Sequence, residues 1–532
     1  MAADGHDRLS ELPDDLLRRI LHFAPLKEAA STTALSRRWR ATPLLWLSSG
    51  AVNLETGVAR YYHTSRHGHD DNIRFLTGRD AFVTAAAGAL GAVDGPVTRL
   101  TLLRRDKDDD VVLRTDLVDL VLSHRAARRV EELRLVVKDP GCSYLYGGGR
   151  AGLYKVTLDS LPLETLRILE LTNCKGIFLC QTQHDAAVLL PRLSYLRLSH
   201  SIQQLSSLQR VIDMAPVLAA VRLESVLIDA TDEEAKQGTT RRCRLRCPTA
   251  NVLVLDGCTW QEKHRHPNGH QSKKTVDVDE IIAPRLRHFR YKGPLRSFSF
   301  SPQPLELEQV DLHFFGHGDE WNSKDPNRDL EIFWRFAQNF TSTREMGLRM
   351  NHLEDIAVLN EARRVELLAA FRRLERLELQ GVHWTKGKSA AVTTILNLLR
   401  CCPVLCALRI NLTTKQEDTS NKKGVVQTRT PQKEIQIAAM LGPRHLFPCL
   451  QSSLRGVALQ FRLEKSDYLG VKLIKFFAEN AMALKEMCID GGEAKLFEHL
   501  NPKTEKWNSK RKKLGATSFV VLPLNGRFYD LN

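Results

Sequence analysis

Residues 166–223 read LRILELTNCKGIFLCQTQHDAAVLLPRLSYLRLSHSIQQLSSLQRVIDMAPVLAAVRL, and one short pattern occurs in them three times: LRILEL at 166–171, LSYLRL at 193–198 and LAAVRL at 218–223. Each copy is an apolar anchor, a turn, and then residues that alternate apolar and polar, the period of a strand with one buried face. The closing leucines, Leu171, Leu198 and Leu223, stand 27 and 25 residues apart. A unit of that size holds one strand and one return segment. It cannot bury its apolar face alone, so neighbouring units must stack. Outward from this stretch the pattern returns as VTRLTL (97–102) and VEELRL (130–135) on one side. On the other it returns as NVLVL (251–255), LRHF (286–289), LEQVDL (307–312), LERLEL (374–379), LCALRI (405–410) and LRGVAL (454–459). Some intervals stretch to about thirty residues or more, which places insertions between units. The segments 205–215, before Pro216, and 392–402, before Pro403, have helical patterning and end at a proline corner.

This strand resembles that of the leucine-rich repeat. The resemblance implies an α/β fold: an irregular solenoid with a parallel sheet on its concave side and helices on its convex side. The exposed strand positions would then include Glu131, Arg134, Glu170, Arg197, Arg222, Glu375, Glu378 and Arg409. Guanidinium groups on such a face can fork to carboxylates or phosphates. Arg134, Arg197, Arg222 and Arg409 are therefore the candidate residues for gripping an acidic or phosphorylated protein target.

The amino-terminal stretch is of another kind: DRLSELPDDLLRRILHFAPLKEAASTTALSRRWRATPLLW, residues 7–46. Pro13 suits the first turn of a helix, and Asp14 and Asp15 suit its positive end. Leu16, Leu17, Ile20 and Leu21 form an apolar stripe, with Arg18 and Arg19 opposite. Pro25 stops that helix, and a second is predicted over 27–35. Three short helices of about forty residues cannot bury this many large apolar groups among themselves, so a partner is implied. Leu9, Leu12, Pro13 and Leu16, followed by Leu35, Ser36, Arg37, Arg38, Trp39 and Arg40, resemble the two halves of an F-box. That resemblance implies docking on the Skp-type adaptor of a cullin ubiquitin ligase. Leu9, Pro13, Leu16, Leu17, Ile20, Leu21, Leu35, Trp39 and Trp46 are the candidate docking or module-core residues. Near the other end, residues 453–461 and 471–489 give strand, helix and strand, with Leu473, Ile474, Phe477 and Ala478 on one helix face. This is similar to the FBD module that closes many plant F-box leucine-rich-repeat proteins, and it is also what one more repeat would look like. Either would cap the open end of the stack.

The expected organisation is an F-box at 1–48, a connector at 49–96, the repeat solenoid at 97–442, an FBD-like cap at 443–492 and a polar basic tail at 493–532. Polar insertions are expected at 231–238, 261–274 and 415–433. Hydrophobic residues make up 43% of the 532, the content of a folded chain. No apolar run approaches the length of a membrane span, and the acidic start lacks the apolar core of a secretory signal. The eleven cysteines are scattered and odd in number, which fits reduced thiols of the cytoplasm or nucleus.

Two near-misses bear on chemistry. Residues 381–389, GVHWTKGKS, resemble a phosphate-cradling loop, but five residues separate its glycines where four are needed and the filling is bulky. Cys243, Cys247, Cys258, His264, His266 and His270 are zinc-type ligands, yet strands separate the cysteines and the histidines sit in a polar loop. No metal, cofactor or catalytic motif is expected. The net charge of +15 raises nucleic acid as a partner, with clusters at 125–129, 241–246, 363–373 and 510–513. The last of these also resembles a short nuclear-import patch. No reading motif accompanies them, so a solvated basic surface is expected and nucleic acid is disfavoured. The reading is a non-enzymatic substrate receptor of a Skp-cullin-F-box ligase. A repeat scaffold without degradative role is the first alternative, and a basic nucleic-acid-binding protein the second.

Overall fold

The computed structural model describes residues 11–34, 38–39, 49–57, 84, 86–93, 95–105, 121–138, 154–157, 160–178, 190–230, 243–265, 271–275, 280–296, 298–315, 326–384, 388–415, 447–461, 469–490 and 494–524. The chain divides into two compact units, Met1–Val276 and Asp277–Asn532.

In the first unit the repeated pattern builds a parallel sheet whose strands follow chain order: Ala51–Gly57, Arg99–Arg105, Glu132–Lys138, Ile168–Thr172, Tyr195–Ser199, Ala220–Glu224 and Val252–Asp256. Registers are unbroken, so Leu100, Leu133, Leu169, Leu196, Val221 and Leu253 form one cross-strand row. All six are buried. Side chains alternate across a pleated strand, and a row of leucines on one face fixes that register, because a slip by one residue would turn the whole row to water. Full burial of each contributes about 1.5–3 kcal/mol.

At the end of four strands the chain turns through a left-handed residue: Asn173, His200, Ser225 and Gly257, with φ of 60°, 49°, 52° and 64°. Beyond these corners lies a second sheet of short strands, including Cys174–Phe178, Ile202–Gln204, Leu227–Asp229 and Thr259–Arg265. Strands thus occupy return segments of the first unit, beside the helix Leu205–Asp213. The stretch expected as a polar insertion at 261–274 takes part in an antiparallel hairpin, Thr259–Arg265 against Gln271–Thr275.

The second unit repeats the parallel sheet with His288–Gly293, Gln309–Phe314, Glu345–Met350, Arg376–Trp384, Ala407–Lys415, Gly456–Phe461, Glu486–Asp490 and Val520–Pro523. From Gln309–Phe314 onward the described returns are helical, including Pro326–Ala337, Lys388–Cys401 and Leu469–Asn480. Leu473, Ile474, Phe477 and Ala478 are all buried, on the one helix face the sequence pattern groups them on. Phe289, Tyr291, Phe298, Phe314, Phe336 and Phe340 pack ring against ring, with neighbouring centroids 4.6–6.0 Å apart.

Three expectations need correction. The connector at 49–96 contains the first strand of the sheet, Ala51–Gly57, paired in parallel with Arg99–Arg105. It lacks the leading apolar anchor by which the others are recognised, having Ser49 there, but Val52 and Leu54 are buried as theirs are. The expected polar tail at 493–532 instead holds the helix Ala494–Lys513 and the strand Val520–Pro523, which pairs in parallel with Glu486–Asp490. The basic run 510–513 is not uniformly solvated either. Arg511 is buried, and its guanidinium donates to the carbonyls of Ala478, Ala481 and Met482 at 3.0, 2.7 and 3.1 Å and of Thr517 at 2.9 Å. It thereby satisfies carbonyls at the end of the preceding helix that would otherwise be orphaned. Gly381 lies inside the strand Arg376–Trp384. A Cβ there would come within 2.4 Å of the Leu353 side chain, so this glycine permits a close approach of packed segments.

Candidate functional site

The amino-terminal module is built on helix α1, Asp14–Leu21, and helix α2, Leu26–Ser31, the latter continued by a 3₁₀ turn, Thr32–Ala34. Pro13 precedes α1 as its cap residue, and its carbonyl accepts from the amides of Leu16 and Leu17. Asp14 and Asp15 occupy the first turn, where the helix dipole favours them. Pro25 caps α2 rather than ending α1.

The apolar stripe of α1 divides by side. Leu17, Leu21, Ala29 and Trp39 form one buried cluster, with Leu12 and Ala24 against it. Leu16 and Ile20 point the other way, 46% and 47% exposed, and Phe23 just beyond the helix is 63% exposed. Pro13 is exposed beside them. Of the nine sequence candidates, then, Leu17, Leu21 and Trp39 are module core, while Pro13, Leu16 and Ile20 make an outward apolar stripe. Leu9, Leu35 and Trp46 lie outside the described residues. Phe23 was not among the candidates, although its spacing from Leu16 and Ile20 (i, i+4, i+7) carries the same stripe one turn further. Arg38 holds the module together, donating to Leu12 O at 2.7 Å and to the Asp14 carboxylate at 2.6 Å.

The module is tied to the first strand of the sheet by polar contacts. The Asn53 amide donates to the carbonyls of His22 and Ala24, both at 3.0 Å, and His22 Nδ1 lies 3.0 Å from Ser49 O. The Arg99 guanidinium sits 4.7 Å from the centroid of the Phe23 ring, and Arg99 Nε is 3.8 Å from Glu132. Burial, with Arg134 nearby, lowers the pKa of Arg99.

The polar face of the sheet is the second candidate surface. Arg134, Glu170, Arg197 and Arg222 are successive register partners in a row that runs from Thr101 to Val254. In the second unit Glu378 and Arg409 are partners in an equivalent row. Glu131 and Glu375 instead precede their strands, where Glu131 pairs with Arg167 at 3.4 Å and Glu375 with Arg344 at 3.6 Å.

Much of the charge in these rows is matched within the chain. Arg134 lies 3.6 Å from Glu170 and 4.0 Å from Glu132. Arg197 donates through Nε and Nη2 to the Glu224 carboxylate at 3.2 and 2.7 Å, and this bond raises its pKa. Arg222 is in no ion pair among the described residues and lies 6.0 Å from the Tyr195 ring. The Tyr195 hydroxyl has its pKa raised, mainly by burial. Burial lowers that of Arg409, partly offset by Glu378. An arginine already forked by an internal carboxylate has little left for an external one. Arg222 is thus the best placed of the four, and Arg197 the worst.

Burial keeps several of the described cysteines as neutral thiols. Burial pushes the thiols of Cys247, Cys401 and Cys449 up to about 12, and Cys402 is raised as well. Cys258 donates to Leu223 O at 3.3 Å. Among the described residues no three or more His, Cys, Asp or Glu side chains are grouped to hold a metal.

Residues 9–42 match the F-box domain family. Along its length the chain is similar to an F-box/FBD/LRR-repeat protein of Arabidopsis thaliana, 22% identical over 91% of this chain and 90% of that one. It is likewise similar to F-box/LRR-repeat protein 13 of Arabidopsis thaliana, at 23% over 92% and 91%. A putative F-box/FBD/LRR-repeat protein of the same plant is 65% identical over 34 residues, 6% of this chain and 8% of its own.

Proposed function

The chain pairs an F-box with a leucine-rich-repeat body, and we propose that it is the substrate-recognition subunit of a Skp-cullin-F-box ubiquitin ligase. The F-box docks the Skp-type adaptor, and through it the cullin. The repeats capture a protein target. The observation that carries this reading is the outward stripe of Pro13, Leu16 and Ile20 on a helix whose other face is already filled by Leu17, Leu21 and Trp39. Large apolar groups held rigidly in water by a packed module are what a partner buries.

In this role the chain needs no nucleophile or metal of its own. It contributes proximity and orientation, bringing a bound target near ubiquitin activated on another subunit. On the repeats, Arg222 with Tyr195 is the candidate first contact for an acidic or phosphorylated target, with Arg134, Arg197 and Arg409 contributing only where internal carboxylates release them.

Co-purification with a Skp-type adaptor tests the reading. Wild type should bind one-to-one, and Pro13→Ala/Leu16→Ala should lose binding while remaining folded. Failure of a folded wild-type chain to bind the adaptor would overturn it.

A further inference from the structure

The carboxyl-terminal helix carries a surface that adaptor docking and target capture leave unused. From Lys503 to Lys513 it reads KTEKWNSKRKK. Lys503, Lys506, Lys510 and Lys513 recur at i, i+3, i+7 and i+10. At about 100° per residue this places all four within roughly 80° of arc, along about 15 Å of helix. All four are exposed, and among the described residues none is in an ion pair. Glu505, the one acid in the stretch, stands more than about 100° around the helix from the middle of the stripe.

The opposite side of the helix is pinned, so the lysines cannot rotate inward. Asn508 exchanges two hydrogen bonds with the Phe519 backbone at 2.9 and 3.0 Å, and Arg511 is buried on its carbonyl partners. The helix dipole rewards cations in the last turn, which accounts for Lys510 and Lys513. It does not account for Lys503 and Lys506. The contrast with the sheet is direct. There most of the candidate arginines face carboxylates of this chain, whereas here four cations share one face with no acid among them.

We propose that this stripe binds the phosphodiester backbone of a single-stranded nucleic acid. Lysines are point charges suited to a polyanion rather than to forked recognition of one carboxylate. No arginine stands among them to fork a carboxylate, and exposed Leu514 lies just past the helix end. Half-buried Trp507 lies about 40° from Lys503 on the flank of the stripe, where part of its ring is available to an unpaired base.

The test is fluorescence anisotropy of the full chain with labelled RNA and DNA single strands of about a dozen nucleotides across a salt series. Anionic phosphatidylserine vesicles and poly-glutamate serve as competitors. Lys503→Gln/Lys506→Gln/Lys510→Gln/Lys513→Gln keeps helix-forming side chains, and its melting curve verifies folding. Arg372→Gln/Arg373→Gln, exposed in another part of the second unit, controls for the general positive charge. The expected result is at least about a tenfold loss of affinity in the lysine variant, with the log–log salt slope falling by about 3 and little change in the control. RNA and DNA binding equally would assign the phosphodiester itself, and RNA alone would add the 2′-hydroxyl. Equal losses in both variants would overturn the proposal. So would stronger competition by vesicles or poly-glutamate than by unlabelled strand.

Discussion

At the residue scale, the decisive contrast is between Leu16 and Leu17, neighbours of one type with opposite jobs. Leu17 is buried in the amino-terminal module, and Leu16 is half in water. Leu17→Ala should lower stability by about 2–5 kcal/mol, measured by denaturant unfolding, because it opens a cavity. Leu16→Ala/Ile20→Ala should leave stability within about 1 kcal/mol of wild type, yet weaken adaptor binding by about 2–4 kcal/mol in calorimetry. Unfolding of the second variant would place those side chains in the core after all. The left-handed corners are also a residue-scale matter. Gly257 has φ of 64° with Ser225 packed beside it, so Gly257→Val should destabilise by about 1–3 kcal/mol, read as a lower midpoint in urea.

At the scale of elements, one polar side chain makes several hydrogen bonds across each of two joints. Asn53 satisfies two carbonyls after helix α1 and so couples the F-box to the first strand. Asn53→Ala should speed amide hydrogen exchange in the segment around 22–26 while strands such as Tyr195–Ser199 keep their protection. Equal loosening of both would mean that the side chain supports the whole unit rather than this joint. Arg511 plays the corresponding part at the other end, where a buried guanidinium ties the last helix to the carbonyls of the one before it. Arg511→Met keeps the apolar stem but strands those carbonyls, and a loss of about 2–4 kcal/mol is expected. Retention of the wild-type melting curve by Arg511→Met would remove this latch.

At the scale of the whole molecule, thiol chemistry reports on both units. The thiols of Cys247 in the first unit and Cys401 and Cys449 in the second have pKa values raised to about 12 by burial. The folded state therefore keeps protons that the unfolded state gives up near pH 8.5. Stability from these groups is intact below that pH and is lost progressively as pH rises from there toward about 12. Alkylation by iodoacetamide at pH 8 should leave all three unmodified until the unit that holds each one unfolds. Rapid labelling of the native protein would contradict their burial.

What could be read from residue order was whatever repeats or follows a local period. The L-x-x-L-x-L pattern marked most strands of the parallel sheet, because one face of each strand must leave water. The F-box motif marked the amino-terminal helical module, and the Leu473–Ala478 face set a helix. What needed the folded chain was anything that depends on which neighbour arrives across space. Leucines of one stripe look alike until the core takes Leu17 and Leu21 and leaves Leu16 and Ile20. Arginines on an exposed row look available until Glu170 and Glu224 are found beside Arg134 and Arg197. A basic run looks solvated until Arg511 turns inward and the helix carries its lysines to one side. Periodicity is a property of the chain, but burial and charge pairing are properties of distance, and distance is set only when the repeats pack strand against strand.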